Sequence, residues 1–390
     1  MNVCTARAIA VLIFLVAATA CSRKQSKTEA RGREKADTTA SQSVLPGTDR
    51  FWNDVARYLG GLDPLPGSTL DSLEYRPEAE QHRRFFAETW PKVENDRLVK
   101  FRKWAAAELG TEHTSTRTVL YPFSGADFLH VHTLYPNAQL YLMYGLEREG
   151  YLPDVLTLPP GQHAAMLTTI QQSLDVMLNM SFFRTKDMMR HFNQTELLTG
   201  TTPILLAFLA RSGHEVLEIK RIRIDNAGKA VAARSDGVSS QRPADGLVTG
   251  MEITFRKPGA SAPQKLQYFS FDAQDLHVKS QPHLLAYFKS YEPVRAYFKS
   301  ASYLMHWDTY SLIRDNILSV SDLVVQDDTG IALRKFPKDE WKLQLYGTYV
   351  LPVREFTSQF QRDLDALYKS DSTVKALDFG LGYHNELGRS

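Results

Sequence analysis

Ser124, Asp127, His130 and His132 stand close together in the run Tyr121–His132, YPFSGADFLHVH. These residue types invite two chemistries. A serine on a sharp turn, with an acid and a histidine elsewhere, can act as a nucleophile. Two histidines one residue apart can chelate a metal if they share a face. The second reading depends on the backbone: on a strand the two imidazoles would point to one side, whereas on a helix they diverge by about 200°. Ser124 followed by Asp127 resembles a capping box, and Pro136 supplies a stop. The spacing therefore predicts a helix over 125–135 with Ser124 as its N-cap, and the chelate dissolves. The other histidines have no ligand spacing such as H-E-x-x-H, so no metal is expected.

The nucleophile reading is weakened in turn. A nucleophile elbow needs glycine two residues before and after the serine, and those places hold Pro122 and Ala126. The chain order still permits a triad of Ser124 with Asp327 or Asp328 and the late His384, which remain weak catalytic candidates. Gly125 lies at the turn, and Glu147 follows 22 residues later at the end of the next apolar run. That is about where nucleotide-binding βαβ units hold a ribose, but a single glycine is not G-x-G-x-x-G, and no cofactor is expected. A milder expectation survives, that the helix start near Gly125 binds a small anion. Gln326–Gly330, QDDTG, contains the Asp-Thr-Gly of aspartic proteases. Asp327 stands where such enzymes place an apolar or small residue, so the segment reads as a hairpin turn between DLVV and IALRKF.

An aromatic tract follows residue 286. Tyr287, Tyr297 and Trp307 are interleaved with Lys289, Arg295 and Lys299. Net charge is +2, which gives no electrostatic case for nucleic acid. Two readings stay open: a binding platform for a glycan or protein, or, with more weight, helices packing their aromatics inward. AYFKS occurs twice, at Ala286 and Ala296. On one helix the copies would lie about 80° apart, with Pro293 between them, so they are not a structural repeat.

The elements that must position these residues have their own patterns. Leu98, Phe101, Ala105 and Leu109 mark a helix stopped by Gly110. TVLYPF and QLYLMYGLE read as buried strands flanking the predicted helix, a βαβ unit with a parallel pair. A helix is expected over 161–180, with Leu167, Ile170, Leu174 and Met177 on one stripe, and a buried helix over 202–212. Met251, Ile253 and Phe255 alternate with polar residues, and KPGASAP turns that strand into QKLQYFSF. Helical and aromatic segments are expected to about Val320. DLVVQ and WKLQLYG then read as strands, REFTSQFQRDLDALYKS as a helix and VKALDFGLGY as the last strand. The fold class is α/β: a mixed sheet flanked by helices, beginning with a βαβ unit and carrying an antiparallel meander.

The N-terminus is of another kind. Arg7 precedes AIAVLIFLVAATAC, an apolar run shorter than the ~20 residues needed to span a bilayer. Its end, ATAC, resembles the lipobox of bacterial lipoproteins, with Ala18 where leucine is more usual. The resemblance implies cleavage of a 1–20 signal and acylation of Cys21; Ser22 is similar to the outer-membrane sorting signal of such proteins. Residues 21–48 are then a disordered tether with a net charge of about +3 and a coil span of roughly 30 Å. Residues 49–390 are expected to form a single globular domain. The only other cysteine, Cys4, leaves with the signal, so the domain has no disulfide and no thiol nucleophile. The stretch YPFSGADFLHVHTLYPNAQLYLMYGLE resembles segments of uncharacterised exported bacterial proteins. Together these features lead to the expectation of an outer-membrane lipoprotein, held in the bilayer through Cys21. It would bind an envelope glycan, protein or small molecule; the alternative is an envelope hydrolase using Ser124 or a carboxylate pair.

Overall fold

Two short apolar runs form the centre of the sheet. Strands β1 (Thr118–Pro122) and β2 (Leu140–Gly145) pair in parallel, with the helix Phe128–Leu134 carrying the chain back between them. Apolar residues on both parities are required because both faces are covered. Val119, Tyr121, Tyr141 and Met143 enter one core, and Leu120, Leu142 and Tyr144 enter the other. The computed structural model describes residues 49–150, 155–180, 200–233, 247–378 and 383–389. Cys21, the expected signal and the tether lie outside these residues, as do the side chains of Leu174, Met177 and His384.

The other strands are β3 (Glu215–Ile224), β4 (Ala230–Ala232), β5 (Thr249–Arg256), β6 (Gln264–Ser270), β7 (Val294–Phe298), β8 (Ser321–Gln326), β9 (Trp341–Gly347) and β10 (Tyr383–Arg389). Among the described residues they form one mixed sheet in the order β4-β3-β5-β6-β2-β1-β7-β8-β10-β9. The five central strands, β6-β2-β1-β7-β8, are all parallel. The antiparallel meander β3-β5-β6 extends one side, and β10 and β9 extend the other. This is the mixed α/β sheet, opened by a βαβ unit, that the sequence pattern predicts.

Helices cover both faces. Arg50–Leu59, Pro77–Val93, Val99–Glu108 and Thr202–Arg211 pack in one core, and Pro282–Lys289 and Ser311–Val320 in the other. Thr202–Arg211 is buried from Thr202 to Ala210, which explains its nearly continuous apolar sequence. The stripe Leu98, Phe101, Ala105 and Leu109 is buried as its spacing requires, and Gly110 ends that helix in the left-handed conformation (φ 53°). Among the described residues no helix is long and apolar enough to cross a membrane.

Three expectations are corrected. The tract after residue 286 is not helical to Val320, because the second AYFKS begins on β7, with Ala296–Phe298 in the strand. The last described strand is YHNELGR: of the expected VKALDFGLGY, residues 379–382 lie outside the described residues and Lys375 makes only an isolated bridge to Tyr346, whereas β10 is held on both sides by β8 and β9 despite its polar sequence. DDTG is a turn but not a hairpin. The Gln326 side chain takes both the N–H and the carbonyl of Ile331 at 2.8 Å, so IALRKF leaves the sheet and enters the 3₁₀ turn Leu333–Lys335.

Candidate functional site

The order of the parallel strands creates a reversal. From β1 the chain moves to β2 and β6 on one side, then returns to the other side of β1 as β7 and β8. The loops leaving β1 and β7 therefore part in opposite directions, and it is outside the carboxyl ends of strands at such a reversal that open α/β sheets have their ligand crevice.

The β1 loop passes through Phe123 (φ 54°) and Gly125 (φ 51°) and is pinned to β2 by Ser124 N–H donating to the Tyr144 carbonyl at 3.1 Å. The helix begins at Phe128, later than the sequence pattern suggests, so its N-cap is Asp127 and not Ser124. Asp127 Oδ1 accepts from the His130 backbone N–H (3.3 Å) and from His130 Nδ1 (2.7 Å), and Oδ2 accepts from the Tyr121 hydroxyl (2.9 Å). The Asp127 carboxylate thus occupies the helix start where an external anion was expected, which removes the anion reading of Gly125. Ser124 is buried with its Oγ donating to the Gly125 carbonyl at 3.1 Å, which does not suit a nucleophile. The two histidines diverge. His130 reaches Asp127, whereas His132 packs on Phe128 (5.0 Å between ring centres) and His214 (4.6 Å).

Strand β7 delivers Lys299 into the same place, with Nζ 3.7 Å from Asp127 Oδ2. The β7 loop continues through Ser300, Ser302 and Tyr303, with φ of 55°, 56° and 59°. Among the described residues, every non-glycine residue with positive φ lies in the loops after β1 and β7. Such conformations cost about 1–3 kcal/mol each and gather where the surroundings over-determine the backbone.

From β8, the paired aspartates take opposite directions. Asp327 turns to the β7 loop: Oδ2 accepts from Ser300 N–H (2.9 Å), and Oδ1 accepts from the Thr329 N–H (3.0 Å) and hydroxyl. Asp328 accepts from the hydroxyls of Tyr303 (2.9 Å) and Tyr349 (3.2 Å) and serves that loop's architecture.

The charges are tuned by burial and by each other. Burial opposes ionisation of Asp127, but the His130 imidazole, Lys299 and the Tyr121 hydroxyl outweigh it and hold its pKa below the ordinary value. Burial lowers His130, with Asp127 opposing in part. Burial also lowers Lys299, partly offset by Asp127 and Asp327. Asp327 moves the other way: burial raises it despite its hydrogen bonds. The two carboxylates nearest Lys299 are therefore pushed apart in acidity, a pattern that lets one stay ionised while the other holds a proton more readily.

A helical segment covers this cluster. Pro77–Val93 continues through a π-turn at Glu94–Leu98 into Val99–Glu108. The Phe101 ring lies 5.9 Å from His130 and 6.3 Å from Tyr297, and Arg97 adds positive potential at His130 and Lys299. About a tenth of the His130 side chain stays accessible. The Tyr297 hydroxyl is sealed in without a hydrogen-bond partner, facing the potentials of Asp127 and Asp327.

Other expected residues fall elsewhere. Glu147 folds back over Gly145 with its carboxylate 3.3 Å from the Tyr268 hydroxyl, and burial raises its pKa. It points into the sheet and not toward a ribose. Tyr287 and Tyr297 are buried and Trp307 is 53% exposed, so these residues do not form a shared aromatic platform. His384 lies on β10 opposite Tyr346, one residue from the pairing of Asn385 with Gln326. Sequence reasoning missed Lys299 as part of the site. Its signal is a lysine directly after the apolar run of β7, legible once that run is seen as a strand. No family model, curated protein or solved structure matches the chain.

Proposed function

We propose that this is a lipid-anchored envelope protein whose domain binds a small polar molecule in the crevice outside the carboxyl ends of β1 and β7. One observation carries the reading. A buried group of ionisable residues (Asp127, His130, Lys299 and Asp327) and all the described left-handed non-glycine residues converge at the point where strand order reverses. Open α/β sheets bind ligands at that point because two loops diverge there and leave backbone and side chains to face a guest. The ionised Asp127 is balanced by Lys299, so the group suits a neutral polar ligand. The lipobox at Cys21 supports the anchor, with several acyl chains for stable attachment, and Ser22 supports the outer membrane.

Native mass spectrometry of the full chain, purified from envelopes in detergent, tests the binding claim. A reproducible small-molecule adduct that Lys299→Met abolishes is expected. A chain free of adduct, and unstabilised by envelope extract in a thermal melt, refutes it. For the anchor, Cys21→Ala should release the protein from membranes; unchanged membrane association refutes that part.

A further inference from the structure

We infer that Asp127 and His130 form a general-base pair, and that the site hydrolyses a neutral carboxylic ester bound in the crevice. This rests on the binding site proposed above and goes beyond it, from holding a ligand to reacting with one.

The argument begins with the tautomer. Asp127 is an acceptor, and His130 Nδ1 lies 2.7 Å from its Oδ1, so Nδ1 carries the proton and donates it. The lone pair is then on Nε2. That nitrogen is not among the sealed, partnerless polar atoms, and the ring keeps about a tenth of its surface accessible. A histidine whose inner nitrogen is held by a carboxylate and whose outer nitrogen keeps its lone pair is the arrangement general-base catalysis requires. Asp127 is itself fixed by the Tyr121 hydroxyl and by the His130 backbone N–H, so the carboxylate that holds the imidazole is held in place. Asp127 is thus the positioning residue and His130 the catalytic one.

The balance of the step is simple. His130 Nε2 takes a proton from water as the water oxygen bonds to the ester carbonyl carbon. In the collapse of the tetrahedral intermediate the C–O bond to the alcohol breaks, and the leaving oxygen takes the proton back from Nε2. Acid and alcohol leave, and the imidazole is neutral again. No oxidant or co-reactant is consumed. Positive potential for the developing oxyanion is supplied by Lys299 and Arg97. The ionised Asp127 has Lys299 beside it, so the site carries little net charge to draw an anionic substrate such as a phosphate ester. Burial lowers His130, so the base is free at neutral pH and the rate should reach a plateau above pH 6.5.

The test uses the full-length protein and 4-nitrophenyl butyrate as probe. Expected are saturable hydrolysis with a plateau above pH 6.5, a loss of about 10²-fold or more in kcat in His130→Gln, and a smaller loss in Asp127→Asn. Nitrogen-15 NMR of the wild type should find the His130 proton on Nδ1 whether or not the variants fold. Absence of saturable hydrolysis, hydrolysis unchanged in His130→Gln, or the proton on Nε2 overturns the inference. The ligand adduct distinguishes the two levels: an adduct retained without hydrolysis leaves the binding proposal standing and removes this one.

Discussion

The pentapeptide AYFKS occupies two places with different outcomes. Ala286–Ser290 closes the helix Pro282–Lys289, with Tyr287 and Phe288 buried and Lys289 exposed. Ala296–Ser300 finishes β7 and enters the loop after it; β7 has neighbours on both edges and helices on both faces, and there Tyr297, Phe298 and Lys299 are all buried. A surface helix has an outer face on which a lysine can stay in water. A central strand has none, so the lysine at its end must find carboxylates, and it finds Asp127 and Asp327. Composition cannot explain the difference; position in the sheet does.

Paired substitutions break or sharpen this contrast. Lys299→Met leaves two buried carboxylates without their cation and should cost about 3–5 kcal/mol, read as the urea midpoint at pH 7.5. Lys289→Met should stay within about 0.5 kcal/mol. Equal losses at the two lysines would sink the contextual argument.

The next effect is on the pH dependence of the loop after the second copy. His306 Nε2 donates to the Asp328 carbonyl at 3.0 Å, and burial holds its pKa down to about 4 against that bond. The unfolded chain takes a proton near pH 6.5 and the folded one only near 4. Stability is therefore full above 6.5 and falls between 6.5 and 4 by about 1.4 kcal/mol per pH unit. His306→Gln should remove about 2 kcal/mol of the wild-type loss between pH 7 and 5, measured as the difference in urea unfolding free energy. His82 and His214, also held to about 4 by burial, keep the remaining loss in place.

Smaller effects come from the tyrosines and serines. The Tyr287 hydroxyl donates to Gln267 Oε1, so Tyr287→Phe should cost about 1–2 kcal/mol. Tyr297→Phe removes a buried hydroxyl that has no partner and should be neutral or stabilise by up to about 1 kcal/mol. The serines should differ in sign. Ser300 sits at φ 55°, and Ser300→Gly should gain about 0.5 kcal/mol by relieving that conformation. Ser290 is right-handed at φ −65° with its Oγ bonded to the Tyr287 carbonyl, so Ser290→Gly should lose about 0.5 kcal/mol. Thermal melts of the four variants decide both pairs.

The same contrast explains what could be read from the chain. β1 and β2 were legible because a strand covered on both faces must be apolar at every position, and the Thr202–Arg211 helix for the same reason. β7 was not, since its pentapeptide also closes a helix and only its neighbours decide the outcome. β10 was missed because YHNELGR has no apolar pattern; the edges of β8 and β9 hold it. Half of the candidate site, Asp127 and His130, lay in one short stretch, although the N-cap was assigned to Ser124. Lys299 and Asp327 come from distant strands, and topology alone brings them to Asp127.

That topology also sets a schedule. β1 meets β2 early, but its other edge pairs with β7, and Arg295 on β7 bonds Glu112, which lies 183 residues away in the chain. A chain emerging from its N-terminus holds β1 and β2 with an apolar edge unsatisfied until β7 arrives. Such edges attract other strands, and contacts this distant form slowly. Any fragment ending before β7 lacks Lys299 and Asp327, so the charged cluster is complete only when the last parallel strands dock. Its presence is therefore a marker of finished folding, and a partner that shields the nascent chain would act most on the interval between β2 and β7.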